Sequence, residues 1–313
     1  MLTTIDQVAA MPLAAGVLTA ARVPWVNGML QAADAHIKKF LKRDIELTSY
    51  VEYYDGNSQR DLPLRQYPIW QGLTTIASSS GGQPLPQSTI NVASTSGFCP
   101  GTGAIPNVVS PMLAIQTGPS TWTSVGYTGT TATSFTGCSG GAGTLIIGNS
   151  VYSPVVWQDT NGFYGQLAGG YADKTILSPG TTFSTLPGIG GRGGSGVLRA
   201  VGIAGAAGYF NWFPGIDTGV RSKLAASRHA YWPLSEGSIK VAYSAGFYPV
   251  PADLSSACAT IVAYMIRNMP SGAPLTRESL GAYSYSVLTS KNPDCPELGS
   301  AQTTLALYRE SAW

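Results

Sequence analysis

The sequence predicts an α+β protein: a helical core drawn from both chain ends around a small β-sheet, with a β-rich module inserted between them. Three observations predict it. Apolar residues recur at helical spacing near the two ends of the chain and not in its middle. Ser, Thr, Gly and Pro dominate residues 77–150, and no charged side chain occurs between Arg65 and Asp159. Glycine and proline number 38 and 21 among 313 residues, which argues against a long helical bundle and for many turns and short strands.

The elements follow in order. Thr4 and Gln7 have capping-box spacing: the Thr oxygen takes a free amide and Gln reaches back, so a short helix runs to about Met11. Pro24 suits a first helical position, where its missing N–H is no loss. Trp25, Met29, Ala33, Ile37, Phe40 and Leu41 then mark the apolar face of a helix from about 24 to 43, with Gln31, Asp34, Lys38, Lys39 and Lys42 largely opposite. Ile45, Leu47, Val51 and Tyr53 mostly alternate with polar residues and read as a strand, and Asp55-Gly56 marks a turn. Leu62, Leu64 and Tyr67-Pro68-Ile69 lead into a further extended stretch. In the inserted module, the runs 89–92, 112–115 and 144–147 read as short strands between turn signals. Residues 151–238 are Gly-rich and read as strands and loops. Leu254, Cys258, Ile261, Met265 and Met269 form a helical stripe that Pro270 and Gly272 stop. Asp294 and Glu297 make a second capping box, followed by a stripe of Leu298, Ala301, Leu305 and Tyr308 to about Arg309. The predicted division is therefore 1–76, 77–150, 151–238 and 239–313, with the first and last parts completing one core.

Composition bounds the function. A net charge of +2 with 11% charged residues excludes a strongly basic nucleic-acid binder, which needs clustered Lys and Arg to displace counterions. No window reaches the ~18–20 uncharged apolar residues of a membrane span. The first residues do not read as a targeting signal, because Asp6 comes early and Pro12 breaks the apolar run. Cys99, Cys138, Cys258 and Cys295 include no Cys-x-x-Cys pair, and free thiols in a reducing compartment are expected. A Cys99–Cys138 bridge is the alternative that spacing leaves open.

No motif points to an enzyme, a cofactor or a metal. His36 lies in the long helix beside basic residues and reads as structural, as does His229 in Arg228-His-Ala-Tyr-Trp232. There is no Cys/His cluster at metal-ligand spacing, no Gly-x-Ser-x-Gly elbow and no Gly-Lys-Ser/Thr phosphate loop. Gly188-Ile-Gly190-Gly-Arg-Gly193 matches the dinucleotide pattern only in letters. Leu186-Pro187 before it and Gly194-Ser-Gly196 after it do not open the helix that chemistry requires. Asp159, Asp173 and Asp217 are isolated. They read as turn residues rather than the facing carboxylates of a glycosidase.

The two ends of the chain resemble the head–tail connector (adaptor, or head-completion) proteins of tailed bacteriophages. The resemblance lies in Leu2-Thr-Thr-Ile-Asp-Gln-Val8, Phe40-Leu-Lys-Arg-Asp44, Tyr50-Val-Glu-Tyr-Tyr-Asp-Gly56 and Leu64-Arg-Gln-Tyr-Pro-Ile69. It resumes in Gly237-Ser-Ile-Lys-Val-Ala-Tyr-Ser-Ala-Gly-Phe247, Val250-Pro-Ala-Asp-Leu254, Arg277-Glu-Ser-Leu-Gly-Ala-Tyr-Ser-Tyr-Ser286 and Tyr308-Arg-Glu310. These segments cover about half the chain. Their order and spacing carry more than any one of them. The middle departs from the compact family pattern. There, 88–98 and 127–137 are similar to a small β module common in phage structural proteins.

The resemblance implies a virion protein of the head–tail interface, assembled in the host cytoplasm. It implies a homo-oligomeric ring, dodecameric in expectation, that contacts the portal protein and a tail-proximal connector or tail-tube protein. Double-stranded DNA would pass through it without sequence-specific binding. A near-neutral channel suits that role, since strong phosphate neutralisation would hold the DNA. The candidate interface residues are Leu298, Leu305, Tyr308 and Trp313, because a terminal helix reaches a partner without disturbing the fold and Tyr and Trp anchor interfaces. Packing of that helix on its own subunit is the competing reading. Two other functions remain as alternatives. One is a tail-fibre or baseplate β protein that contacts carbohydrate. The other is a hydrolase or depolymerase using Asp159, Asp173 or His229.

Overall fold

The computed structural model describes residues 1–14, 22–56, 59–78, 82–102, 110–158, 175–177, 183–187, 194–200, 232, 235–268 and 296–309. The chain divides into a helical unit, Met1–Glu46 with Phe247–Trp313, and a β unit, Leu47–Gly246. This division falls at 46/47 and 246/247, whereas the sequence reading divides the chain at 76/77, 150/151 and 238/239. The reason is strand pairing: residues 48–56 and 235–245 pair with each other along almost their whole lengths, and so belong with the sheet rather than with the helices.

The helical unit begins with α1 (Ile5–Ala9), capped as predicted by the reciprocal Thr4–Gln7 box. The Gln7 side-chain oxygen also accepts from the hydroxyls of Thr3 (2.8 Å) and Ser255 (2.9 Å). A short 3-10 turn, Pro12–Ala14, follows. Helix α2 (Val23–Leu41) carries its proline in the first turn and ends on Lys42 at φ 57°. Its buried face is Val26, Met29, Leu30, Ala33, Ile37 and Leu41, while Trp25 and Phe40 are half-buried. Helix α3 (Ala252–Asn268) packs against α1, α2 and α4 (Pro296–Tyr308). Because it has neighbours on several sides, it buries far more than one stripe: Leu254, Ala257, Cys258, Ala259, Ile261, Val262, Ala263, Met265 and Ile266. Met269, Asp294 and Cys295 lie outside the described residues. The chain leaves this unit at Glu46 and returns at Phe247 alongside it, with Phe247 N–H donating to the Ile45 carbonyl at 2.8 Å.

The β unit contains three sheets among the described residues. The first comprises β1 (Thr48–Gly56), β2 (Asp61–Pro63), β3 (Ile69–Trp70), β11 (Val155–Gln158), β12 (Thr175–Ile176), β13 (Phe183–Pro187), β14 (Gly194–Ala200) and β15 (Ser235–Ala245). The second has the order β4 (Gly72–Thr75), β10 (Ser150–Ser153), β6 (Met112–Gln116), β7 (Trp122–Gly126). The third has the order β5 (Thr89–Asn91), β9 (Ser134–Thr136), β8 (Gly129–Thr130). All named strand pairs are antiparallel.

Strand β1 corrects one expectation. It continues through Asp55 and Gly56, with a register shift against β15 rather than a turn. Its inward side is Tyr50, Glu52 and Tyr54, whereas Val51 and Tyr53 are exposed. The inserted module has its own core of Ile76, Ile90, Val92, Phe98, Leu113, Ile115, Val125, Tyr127, Phe135, Leu145 and Val151. It is nevertheless joined to the large sheet. The opposite faces of β6, β7 and β10 offer Met112, Ala114, Trp122 and Tyr152 to the core that holds Val155, Trp157 and Tyr243. The run 144–147, expected as a strand, contributes only a bridge at Thr144 and then turns. Asn149 N–H donates to the Ile146 carbonyl at 3.1 Å, and Gly148, at φ 79°, takes the left-handed position that a type II turn reserves for glycine.

Candidate functional site

Helix α4, which carries the candidate interface residues, turns Ala301 and Leu305 into the core of the helical unit. Leu305 is fully buried among Leu30, Ile37, Ile261 and Met265 of the same core. Tyr308 is half-buried. Its hydroxyl lies 2.7 and 2.8 Å from the two Asp253 carboxylate oxygens at the start of α3, and its ring meets Phe247 edge-on at 5.9 Å. Its carbonyl accepts from the Arg43 guanidinium at 2.8 Å. Arg309 stacks over Phe40, 5.1 Å from the ring centre. Of the two readings of the stripe, docking surface or packing on its own subunit, Leu305 and Tyr308 face inward as the second expects, and this clamp joins the ends of α2 and α4 to the start of α3. Leu298 sits in the first turn of α4 with its side chain outside the described set, and Trp313 lies outside the described residues.

The outward side of α4 carries Leu307, 80% exposed. The signal for it was in the sequence: Leu307 falls off the 298–301–305–308 stripe, on the face that a lone helix gives to polar residues. Ile146 and Ile147, at 45% and 58% exposure, were also missed, because a short apolar run was read as a strand.

Charge in the helical unit is gathered near the end of α2. The Lys38 ammonium lies 3.2 Å from Asp34, 3.4 Å from Glu46 and 3.9 Å from Asp44. Burial pulls its pKa down, but the three carboxylates outweigh that and hold it above its ordinary value. His36 is half-buried, as its neighbours suggested, and burial followed by the repulsion of Lys39 lowers its pKa. In the β unit, Glu52 accepts from the hydroxyls of Tyr54 and of Tyr243, the latter at 2.6 Å. These phenols accept in turn from the backbone amides of Arg65 (3.0 Å) and Gln66 (3.2 Å). Burial, then the hydrogen-bonded carboxylate, raises the Tyr54 pKa, and burial raises that of Tyr243. The network pins the chain after β2 onto β1 and β15, a structural use of polar groups that period-2 patterning does not reveal.

Cys99, Cys138 and Cys258 are free thiols. Burial pushes Cys138 up to about 11 and Cys258 up to about 12, so neither is poised as a nucleophile. Among the described residues no group of three His, Cys, Asp or Glu side chains is placed to hold a metal, and no helix is long and apolar enough to cross a membrane. Asp159, Asp173, Asp217, His229, the 188–193 glycine run and the 277–286 segment lie outside the described residues.

A cleft of about 220 Å³ opens in the β unit between the β1–β15 pair and the start of β6. Tyr50, Val51, Pro111, Met112, Ala242 and Tyr243 form its apolar wall, with Ser49 and Ser110 as its polar lining. The Tyr50 and Tyr243 rings are 5.5 Å apart at 33°.

No family model and no curated protein matches the chain. Among solved structures it aligns with one described as the "VP16-VP17 complex, a complex of the two major capsid proteins of bacteriophage P23-77". That alignment has 12% identity and a TM-score of 0.16, over 64% of this chain and 73% of that one, and a score this low establishes no shared fold.

Proposed function

We propose that the chain is a structural subunit of a tailed-phage virion and, within that class, a head–tail adaptor that forms a ring beneath the portal. One observation carries this reading. The segments that resemble connector proteins are scattered along the sequence, yet those within the described residues come together in two groups. Leu2–Val8, Phe40–Asp44, Val250–Leu254 and Tyr308–Arg309 build the helical unit, with Leu2, Val8 and Leu254 in its core and Tyr308 hydrogen-bonded to Asp253. Tyr50–Gly56 and residues 237–245 belong to the paired strands β1 and β15, and the Tyr243 hydroxyl of β15 accepts from the amide of Gln66 in the segment Leu64–Ile69. Segments that keep one another's company in space share a structural reason for their order.

The role needs no catalysis, cofactor or metal. Its partners would be further copies of the chain, the portal, a tail-proximal protein and DNA in transit. Native mass spectrometry and electron microscopy of the purified protein test it. A ring with a central channel that binds portal particles is the expected result. An elongated trimer would favour the tail-fibre or baseplate reading. Polysaccharide turnover lost on mutating Asp159, Asp173 or His229 would favour the depolymerase reading.

A further inference from the structure

We propose that the surface where α2 and α4 end is a cationic patch that contacts the phosphate backbone of double-stranded DNA without reading its sequence. Lys39, Lys42 and Arg309 are exposed there, contributed by two elements of the helical unit. Arg309 reaches α2 through Phe40, its guanidinium lying 5.1 Å from the ring centre. Lys39 and Phe40 follow His36 by three and four residues, so all three side chains are neighbours on one helix face. Lys42 continues the patch at the C-cap of α2.

These cations are set apart by their lack of counter-charge. Lys38, in the same turn, is surrounded by Asp34, Asp44 and Glu46. Asp253 is engaged by the Tyr308 hydroxyl. Among the described residues, none of Lys39, Lys42 and Arg309 has a carboxylate within ion-pair reach. Arg199 in the β unit shows the contrast, with bonds of 2.7 and 2.8 Å to Asp61. Helix C-termini attract cations. Arg43 already serves the end of α4 in that way, donating to the Tyr308 carbonyl at 2.8 Å. The uncompensated field reaches the neighbouring imidazole: burial and then Lys39 lower the pKa of His36.

Charge complementarity selects an anion, and the make-up of the patch selects phosphate over an acidic protein. Protein interfaces centre on apolar and aromatic anchors in desolvated pockets. The aromatic ring here, Phe40, packs on the helical core and carries Arg309 over it, so it is not offered as an anchor. Phosphates need only long cationic side chains, and contacts to them carry no sequence information. Three contacts from one copy hold a duplex weakly, which leaves it able to slide. That DNA is the polyanion encountered rests on the adaptor reading above; the preference for phosphate does not.

The test uses the full chain and a short labelled duplex in two unrelated sequences, followed by fluorescence anisotropy. Three neutralised phosphates predict that affinity falls about 40-fold between about 50 and about 200 mM salt for each copy in contact. Lys39→Gln, Lys42→Asn and Arg309→Gln should each reduce the salt slope by about 1, equally for both sequences. All three positions are exposed, and Asn tolerates the φ of 57° at Lys42, so circular dichroism should stay that of the wild type. Lys39→Arg should keep the slope, and so should Arg199→Gln in the β unit. Rings whose duplex binding weakens in the three glutamine and asparagine variants support both the contact and the adaptor. The same binding pattern in a protein that forms no ring supports the contact and overturns the adaptor. Rings whose duplex binding is absent, or unmoved by the three variants, overturn the contact and leave the adaptor standing. A glutamate-rich peptide that displaces the duplex and depends on the same residues overturns the phosphate assignment in favour of an acidic protein. No ring and no binding to either probe overturns both readings.

Discussion

Leu305 and Leu307 lie two residues apart on α4 and should behave oppositely. Leu305→Ala leaves a hole in the helical core and is expected to cost about 2–5 kcal/mol in urea unfolding. Leu307→Ser touches an 80% exposed side chain and should change stability by less than about 0.5 kcal/mol. The thiols give a second residue-scale expectation. In native protein at neutral pH, Cys258, buried and pushed up to about 12, should resist alkylation. All four cysteines should react once the chain is unfolded in denaturant without reductant. A mass that leaves two thiols unmodified would reveal a bridge.

His36 provides the pH dependence. Its folded pKa lies below its ordinary value of 6.5, so well above pH 6.5 it is neutral in both states and its site contributes in full. As pH falls below 6.5 the unfolded chain takes up the proton first, and stability declines until the folded pKa is passed. His36→Asn should flatten this part of the stability–pH curve. An unchanged slope would move the cause elsewhere.

At the scale of elements, the helices were legible because each carries redundant signals. The Thr4–Gln7 box and the proline in the first turn of α2 appear in the structure where the sequence placed them. The strands were less legible. In β1 the exposed side is Val51 and Tyr53 and the inward side includes Glu52, an inversion that alternation alone cannot reveal. It becomes intelligible only with Tyr243, a partner far along the chain, which gives the carboxylate a hydrogen bond. The Ile146–Asn149 turn was misread for a similar reason, since a turn built on Gly148 leaves the residues before it free to be apolar. The inward orientation of Leu305 was within reach of the helical pattern, but its contacts with α2 and α3 were not. The adjacency of Glu46 and Phe247 leads to a prediction at this scale. A short Gly/Ser linker should replace Leu47–Gly246 and leave a folded helical unit, since closing so short a gap costs little entropy. Loss of most helical dichroism in that variant would show that the unit depends on what was removed.

For the molecule as a whole, two units with separate cores should unfold in two steps. Calorimetry of the full chain should give a van't Hoff enthalpy below the calorimetric one. Leu305→Ala should move only the transition assigned to the helices. The charge distribution divides along related lines. The helical unit holds the Lys38 cluster and its cations, whereas the stretch from Gln66 to Gln158 presents no charge at all. Contacts made through that neutral stretch would have no counterions to release and nothing for dissolved ions to screen. Such joints would hold from dilute buffer to molar salt, and strongly hydrated anions such as sulfate would tighten them. A particle built on them would tolerate osmotic and ionic shocks that loosen assemblies held by ion pairs.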